Sequence, residues 1–239
     1  MEILGLTDVG LKRALNEDSF FVDCNEKQFI GLVSDGMGGH NAGEIASNTA
    51  ICAFKEFCED VNIFSHAVQN LKKALSYCNY KVYNLSQTEK NLNGMGATLV
   101  AAVYNGKKLY IANIGDSRAY LLSKGEIKQI SEDHSFVFEL LKNGLITNEE
   151  AKHHPQRNEI TKAIGIVSTI FPDFYSVEVE KDDLILLCTD GLTSMLDDDL
   201  INEIINENSE DFSIALKTLI DKANENGGID NITAVLAKI

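Results

Sequence analysis

The sequence predicts an α+β fold in which two packed antiparallel sheets are flanked by helices, and three observations carry that expectation. Short apolar runs of strand length recur along the chain, turn dipeptides separate several of them, and longer stretches with helical periodicity lie in between. At 239 residues, 44% of them hydrophobic, the chain can bury a sizeable core as one unit. Its two prolines, Pro155 and Pro172, and the lack of any Gly-, Ser- or Pro-rich stretch leave no linker. Residues 1–239 are therefore expected to form a single domain.

Strand-like runs occupy residues 19–22, 29–33, 98–104, 108–114, 118–122, 183–189 and 232–237. Asn105-Gly106 is a hairpin signal and Lys124-Gly125 separates another pair, so the middle of the chain is expected to be an antiparallel meander. One helical face gathers Ile45, Ala46, Thr49, Ala50, Ala53, Phe54 and Phe57. A second gathers Ala67, Leu71, Ala74, Leu75, Cys78, Val82 and Leu85. Two further stripes, Leu200 to Ile205 and Ala215 to Ala223, precede the last strand, the first behind aspartates that suit a helix N-terminus. Residues 137–166 interrupt the strand pattern with a helix, a stop at Gly144, a Thr147-x-x-Glu150 capping box and a polar stretch; they are expected to form a surface excursion.

The formal charge of −15 repels a polyphosphate backbone, which disfavours nucleic acid as a partner. The opening Met1-Glu2-Ile3-Leu4-Gly5 has no basic segment and no apolar run approaches membrane-spanning length, so a soluble cytoplasmic protein is expected. Five cysteines without a C-x-x-C pair suggest neither a disulfide framework nor a thiolate zinc site.

The informative pattern is where the aspartates fall. Two apolar strands end in Asp35-Gly36 and Asp190-Gly191, Asp18 and Asp230 each stand at the start of another, and Asp116 lies in the turn between two more. Each alone is ordinary turn chemistry. If these ends meet at one edge, the carboxylates repel one another unless a cation neutralises them. Carboxylates and carbonyls without neighbouring His or Cys suit Mg²⁺ or Mn²⁺, and Gly36 offers an unobstructed carbonyl. Two such ions can activate a water and hold both oxygens of an in-line displacement at a phosphate ester. Only three of the 21 basic residues are arginine, and Arg13, just upstream of Asn16-Glu17-Asp18, can grip phosphate with its planar fork.

Other schemes fail on the letters. No Cys is followed six positions later by Arg, Gly115-Asp116-Ser117-Arg118-Ala119 lacks the second glycine of a nucleophile elbow, Gly36-Met37-Gly38-Gly39 lacks the Lys-Ser/Thr of a P-loop, and Asp197-Asp198-Asp199 lacks EF-hand spacing. A two-metal nuclease or nucleotide hydrolase should show a basic groove. A non-catalytic phosphopeptide-binding or sensor module should have lost a metal aspartate.

Arg13 with Asn16-Glu17-Asp18, Asp35-Gly36-Met37-Gly38-Gly39, Gly115-Asp116-Ser117-Arg118, Asp133-His134-Ser135, Thr189-Asp190-Gly191-Leu192 and Asp230-Asn231-Ile232-Thr233 resemble, in order, the motifs of the PPM family, the type 2C Ser/Thr phosphatases. Met37 and His154-Pro155-x-Arg157-Asn158 resemble its compact bacterial branch. The resemblance implies a four-layer α-β-β-α sandwich that hydrolyses phosphoserine and phosphothreonine on proteins, opposing a Ser/Thr protein kinase. It implies Asp35 as the ligand bridging two Mn²⁺ or Mg²⁺ ions, with Gly36 ligating through its carbonyl and Asp190 and Asp230 completing the set. Asp18 would act near the metals through water, Asp116 would share a third, weaker ion with Asp190, Arg13 would bind phosphate, and residues 144–166 would form a flap. A monomer is expected. Animal members carry His where this chain has Met37, which leaves a metal-held water, or else His134, as proton donor; His40 is expected on a solvent-exposed loop, with a place near the cleft as the alternative.

Overall fold

The structure, a computed structural model, describes residues 1–39 and 42–239; His40 lies outside the described residues. Among the described residues, eleven strands and seven α-helices follow one another as β1 (Glu2–Asp8), β2 (Asp18–Cys24), β3 (Phe29–Met37), α1 (Ala42–Asp60), α2 (Ala67–Thr88), β4 (Gly96–Ala97), β5 (Leu99–Tyr104), β6 (Leu109–Ile114), β7 (Arg118–Ser123), β8 (Glu126–Gln129), α3 (Phe136–Lys142), α4 (Asn148–His153), β9 (Asp173–Val177), β10 (Leu184–Cys188), α5 (Asp190–Thr193), α6 (Asp198–Glu207), α7 (Phe212–Glu225) and β11 (Ile232–Lys238). One sheet has the order β1-β11-β10-β7-β8, the other β2-β3-β5-β6-β9, with β4 paired to the end of β3.

The strands read as continuous apolar runs because both faces of each sheet are covered. Phe29, Val33, Val100, Ala102, Leu109, Ile111, Ile185, Leu187, Val235 and Ala237 interdigitate between the sheets. The alternate residues of the second sheet, Leu32, Leu99, Ala101 and Val103 among them, pack under α1 and α2. Those of the first sheet, such as Tyr120, Leu186, Cys188 and Leu236, pack under α6 and α7. The result is four layers, α-β-β-α, with three apolar seams. The stripes predicted on α1, α2, α6 and α7 are the faces these helices bury.

Two expectations are corrected. The central run is not one meander: β5 pairs β6 in one sheet and β7 pairs β8 in the other, so Gly115-Asp116-Ser117 carries the chain across the sandwich. The flanking hairpins were legible, but a turn inside one sheet and a crossing between two leave the same short polar signature. Two edge strands, β1 and β9, also went unread. β1 leaves Leu4 and Leu6 more than a third exposed, so its apolar signal is weak, and β9 follows Pro172 as a short polar-aromatic segment.

Between β8 and β9 the chain leaves the sheets. Ser135 caps α3 by accepting from Phe138 N–H, Gly144 follows at φ 68°, and Thr147 and Glu150 close a reciprocal capping box on α4. Bridges from Ser135 to Ile160 and from Ala97 to Ile164 return the segment to the body. Asn79, buried in α2, then clamps the departing chain: its Oδ1 accepts from Gly165 N–H at 2.8 Å and its Nδ2 donates to the carbonyls of Val167 and Ser168 at 3.0 and 3.2 Å.

Candidate active site

The inward-facing row of each central strand turns polar at the same end of the sandwich. Past Phe20 stands Asp18, past Val33 stands Asp35, before Val100 stands Thr98, past Leu187 stands Thr189 and before Val235 stands Thr233. Period-two alternation thus sends these side chains into the gap between the sheets just where the apolar seam ends. Asp18 and Asp35 are a direct cross-strand pair, a placement that sets two carboxylates side by side on one face.

Each carboxylate is supported by its neighbours. Asp18 Oδ2 accepts from the hydroxyls of Thr189 at 2.8 Å and Thr233 at 2.7 Å, and Thr233 is in turn 2.7 Å from Thr7 Oγ1. The Asp35 peptide exchanges two bonds with Thr98: Asp35 N–H donates to Thr98 Oγ1 at 2.9 Å, and Thr98 N–H donates to the Asp35 carbonyl at 2.8 Å. Thr98 Oγ1 also lies 2.7 Å from Ser117 Oγ, which ties the β3 end to the turn bearing Asp116. Arg13 Nη2 donates to Asp230 Oδ2 at 2.7 Å.

Glycine is required where backbone meets backbone. A Cβ on Gly36 would sit 1.9 Å from the Gly43 carbonyl, and one on Gly43 would meet both the Gly36 carbonyl and Glu17 Oε1. The missing side chain of Gly43 therefore lets a backbone carbonyl and a carboxylate lie over the same spot.

A cleft of about 230 Å³ opens over this floor, lined by Arg13, Glu17, Asp35, Gly36, Met37, Thr98, Asp116, Asp190, Asp230 and Asn231, with Asn158 and Ile160 from the excursion. Asp18 lies beneath it, 8% exposed. Burial pushes Asp18 up to about 7 although the Thr233 and Thr189 hydroxyls pull it down. Burial, then the charges of Asp18, Asp190 and Asp116, holds Asp35 well above the usual carboxylate range. Asp116 is pushed up to about 8 by burial and then by Asp190 and Asp133, and Asp190 is raised by burial and then by Asp230. All four shifts mark negative charge confined in a dry place with too little hydrogen bonding or positive charge nearby to offset the burial.

The donor set fits a hard divalent cation. Asp18 Oδ1, Asp190 Oδ1 and Glu17 Oε1 are buried without a hydrogen-bond partner among the described residues, and buried acceptors of this kind are rare unless something absent from the chain satisfies them. Among the described residues no three His, Cys, Asp or Glu side chains close into a ready coordination sphere. Uncompensated carboxylates repel one another, and Mg²⁺ or Mn²⁺ completes such a set with carbonyls and water.

The residues expected from sequence mostly converge here. Asp35, Gly36, Asp116, Asp190, Asp230 and Arg13 all line the cleft. His134 does not: it is 6% exposed, and both ring nitrogens are taken by Gly115 N–H and Asp173, so it is withdrawn as proton donor. Arg118 spends its fork on Asp133 and Arg157 is exposed on the excursion. Glu17, Thr98, Asn158 and Asn231 were not singled out. Asn231 accepts from Glu17 N–H and donates to the carbonyls of Val9 and Leu15, thereby seating the loop that presents Arg13. Only the end-of-row alternation could have found Thr98.

A four-layer sandwich with buried aspartates from both sheets, a glycine carbonyl and a forked cation at one edge defines a metal-dependent phosphatase. Residues 12–237 match the protein phosphatase 2C profile, and the chain belongs to that family. The protein phosphatase PhpP of Streptococcus pneumoniae is 41% identical over 248 residues, covering 100% of this chain and 98% of its own. The crystal structure of the serine/threonine phosphatase Stp1 from Staphylococcus aureus superposes with a TM-score of 0.92 at 38% identity, covering 100% of this chain and 94% of that one. The catalytic domain of the serine/threonine protein phosphatase PstP, solved in complex with two manganese ions, superposes at 0.86 with 34% identity, covering 99% and 97%. No helix among the described residues is long and apolar enough to cross a membrane.

Proposed function

We infer that this protein is a metal-dependent protein-serine/threonine phosphatase, and that it opposes a Ser/Thr protein kinase as a cytoplasmic monomer whose 1–239 chain forms one catalytic unit. The observation that carries the reading is the convergence of buried, unpartnered carboxylate oxygens from both sheets beneath Arg13. Asp35 would bridge two ions, with the Gly36 carbonyl, Asp190 and Asp230 as the other ligands. Asp116 would share a third, weaker ion with Asp190. Mn²⁺ or Mg²⁺ bound there supplies charge neutralisation, Lewis acidity toward the phosphoryl oxygens and an acidified water as nucleophile.

The chain's own residues do the rest. Arg13 already hydrogen-bonds Asp230 through one nitrogen, and its remaining N–H donors are available to phosphate oxygens at the mouth of the cleft. Asp18, with Oδ2 fixed by two threonine hydroxyls, keeps Oδ1 to accept from water on the cleft floor. Met37, on the cleft wall, carries no ionisable proton, so the leaving serine or threonine oxygen would draw its proton from water, which Asp116 is placed to hold. Residues 137–166 act as a flap, with Asn158 and Ile160 beside the substrate.

The test is turnover on a phosphothreonine peptide after exhaustive chelation and again after adding Mn²⁺ or Mg²⁺, with single-stranded DNA in parallel. Loss and recovery on the peptide with no cleavage of DNA is expected. Full peptide activity in excess chelator would reject the metal-dependent mechanism.

A further inference from the structure

His134 stands where three parts of the chain meet, and its hydrogen bonds fix its tautomer. Gly115 N–H points at Nδ1 at 3.1 Å. A backbone N–H can only donate, so Nδ1 is the acceptor and the ring proton sits on Nε2. Nε2 then donates to Asp173 Oδ2 at 3.0 Å. Lys162 Nζ, 3.1 Å from the same nitrogen, cannot donate to a protonated one, and serves as the charge partner of Asp173, whose Oδ1 is 3.7 Å away.

The main chain of His134 grips the same places. Its N–H donates to the Gly115 carbonyl at 3.0 Å and its carbonyl accepts from Thr161 N–H at 2.7 Å. Gly115 is thus held on both its N–H and its C=O by one residue. The hold matters because Gly115 adopts φ 109°, packed so that a Cβ would come within 2.5 Å of Thr98. The next residue is Asp116, in the turn that crosses between the sheets.

We propose that His134 is a positioning residue for the phosphatase reaction: through Nδ1 it sets the Gly115-Asp116 turn, through its carbonyl and Thr161 it registers that turn to the base of the flap, and through Nε2 it anchors to Asp173 at the start of β9. The proposal rests on the reading of Asp116 as a cation ligand. His134 acts without touching substrate, by deciding where the Asp116 carboxylate stands.

Two substitutions separate the arms of the ring. Asn at 134 can place an acceptor near the Nδ1 position, whereas Gln places its polar group near Nε2. In the full-length metal-free protein, exchange of the Gly115 amide is expected to accelerate at least about tenfold in His134→Gln and to change little in His134→Asn, because only the former leaves that N–H without its acceptor. On a phosphothreonine peptide, His134→Gln is expected to need several-fold more Mn²⁺ for half-maximal turnover with peptide KM unchanged, and His134→Asn to restore the curve. Equal behaviour of the two variants, or unchanged Gly115 exchange in His134→Gln, overturns the proposal. If His134→Gln does not fold, Asp173→Asn loosens the Nε2 anchor and leaves Nδ1 in place; faster Gly115 exchange then supports the proposal and unchanged exchange refutes it. Asp116→Ala, run alongside, tells the two failures apart. A wild-type Mn²⁺ curve in Asp116→Ala removes the ligand reading and the role of His134 in the reaction with it. A shifted curve there with wild-type behaviour in His134→Gln removes His134 alone.

Discussion

Asp35 and Asp116 line the same cleft yet are held by different means. Asp35 closes an inward-facing row of β3, in the ladder with β2 on one side and bonded on the other to Thr98, between the pairings with β5 and β4. Asp116 sits in a crossing turn with no ladder of its own, kept in shape by Thr98, Ser117 and His134. A ligand in a ladder is as rigid as the sheet, and displacing it means breaking several backbone bonds. A ligand in a propped turn can shift when one side-chain bond is lost. On the proposed reading, the strand-borne Asp35 would suit ions that stay, and the turn-borne Asp116 an ion that exchanges.

The comparison is tested most severely at Asp35. Asp35→Asn is expected to fold, since it removes a charge from a dry cluster, and to reduce turnover to background. Mn²⁺ at about a hundred times its Kd should stabilise the wild type by about 2.7 kcal/mol, or about 5–10 °C in Tm for a chain of this size, and that rise should vanish in Asp35→Asn. Near-normal turnover, or an undiminished rise, would remove Asp35 as the bridging ligand.

Asp116→Ala comes next. If the turn carries the exchangeable ion, calorimetry should still count two bound Mn²⁺ while hydrolysis of a phosphothreonine peptide is mostly lost. An aryl phosphate, with its better leaving group, should be spared. Equal losses on both substrates would exclude a role in protonating the leaving oxygen.

Arg13 is a milder case because it is half exposed and already paired. Arg13→Ala should lose a charge-assisted contact of about 1.5–3 kcal/mol, roughly 10- to 150-fold in kcat/KM, with Arg13→Lys recovering part. Wild-type kinetics in both would assign the phosphate contact elsewhere. Asn79→Ala should leave the metal count unchanged, since it frees only backbone groups of residues 165–168. Its cost is one of stability, about 1–3 kcal/mol or on the order of 2–12 °C in Tm, and an unchanged melting curve would show that the clamp is not needed to hold the flap's end.

The sequence displayed the strand-borne half of the site most clearly. Asp35-Gly36 and Asp190-Gly191 follow uninterrupted apolar runs, and such runs exist because both faces of the inner strands are buried. The helix stripes were legible for the same reason. Props were harder to read. Thr98, Thr189 and Thr233 are ordinary strand residues by composition, and their role appears only when several strands are laid in register. His134 looked like a candidate acid because an imidazole near a cleft invites that reading, whereas its buried, doubly engaged ring is visible only in three dimensions. Glu17 and Gly43 lie far apart along the chain, and only the fold shows that a side chain at 43 would collide with the Glu17 carboxylate.

The aspartates expected to hold metal stand at strand ends of both sheets, Asp35 within β3 of the second and Asp190 and Asp230 just after β10 and just before β11 of the first, so neither sheet alone assembles the set. Catalysis by this molecule is consequently a readout of tertiary docking. A folding intermediate with either sheet formed alone would have its secondary structure and no activity. A slip of one sheet across the apolar seam would alter the spacing between ligands before it exposed any core residue. Recovery of turnover during refolding should lag the return of strand signal and coincide with closure of the two sheets upon each other.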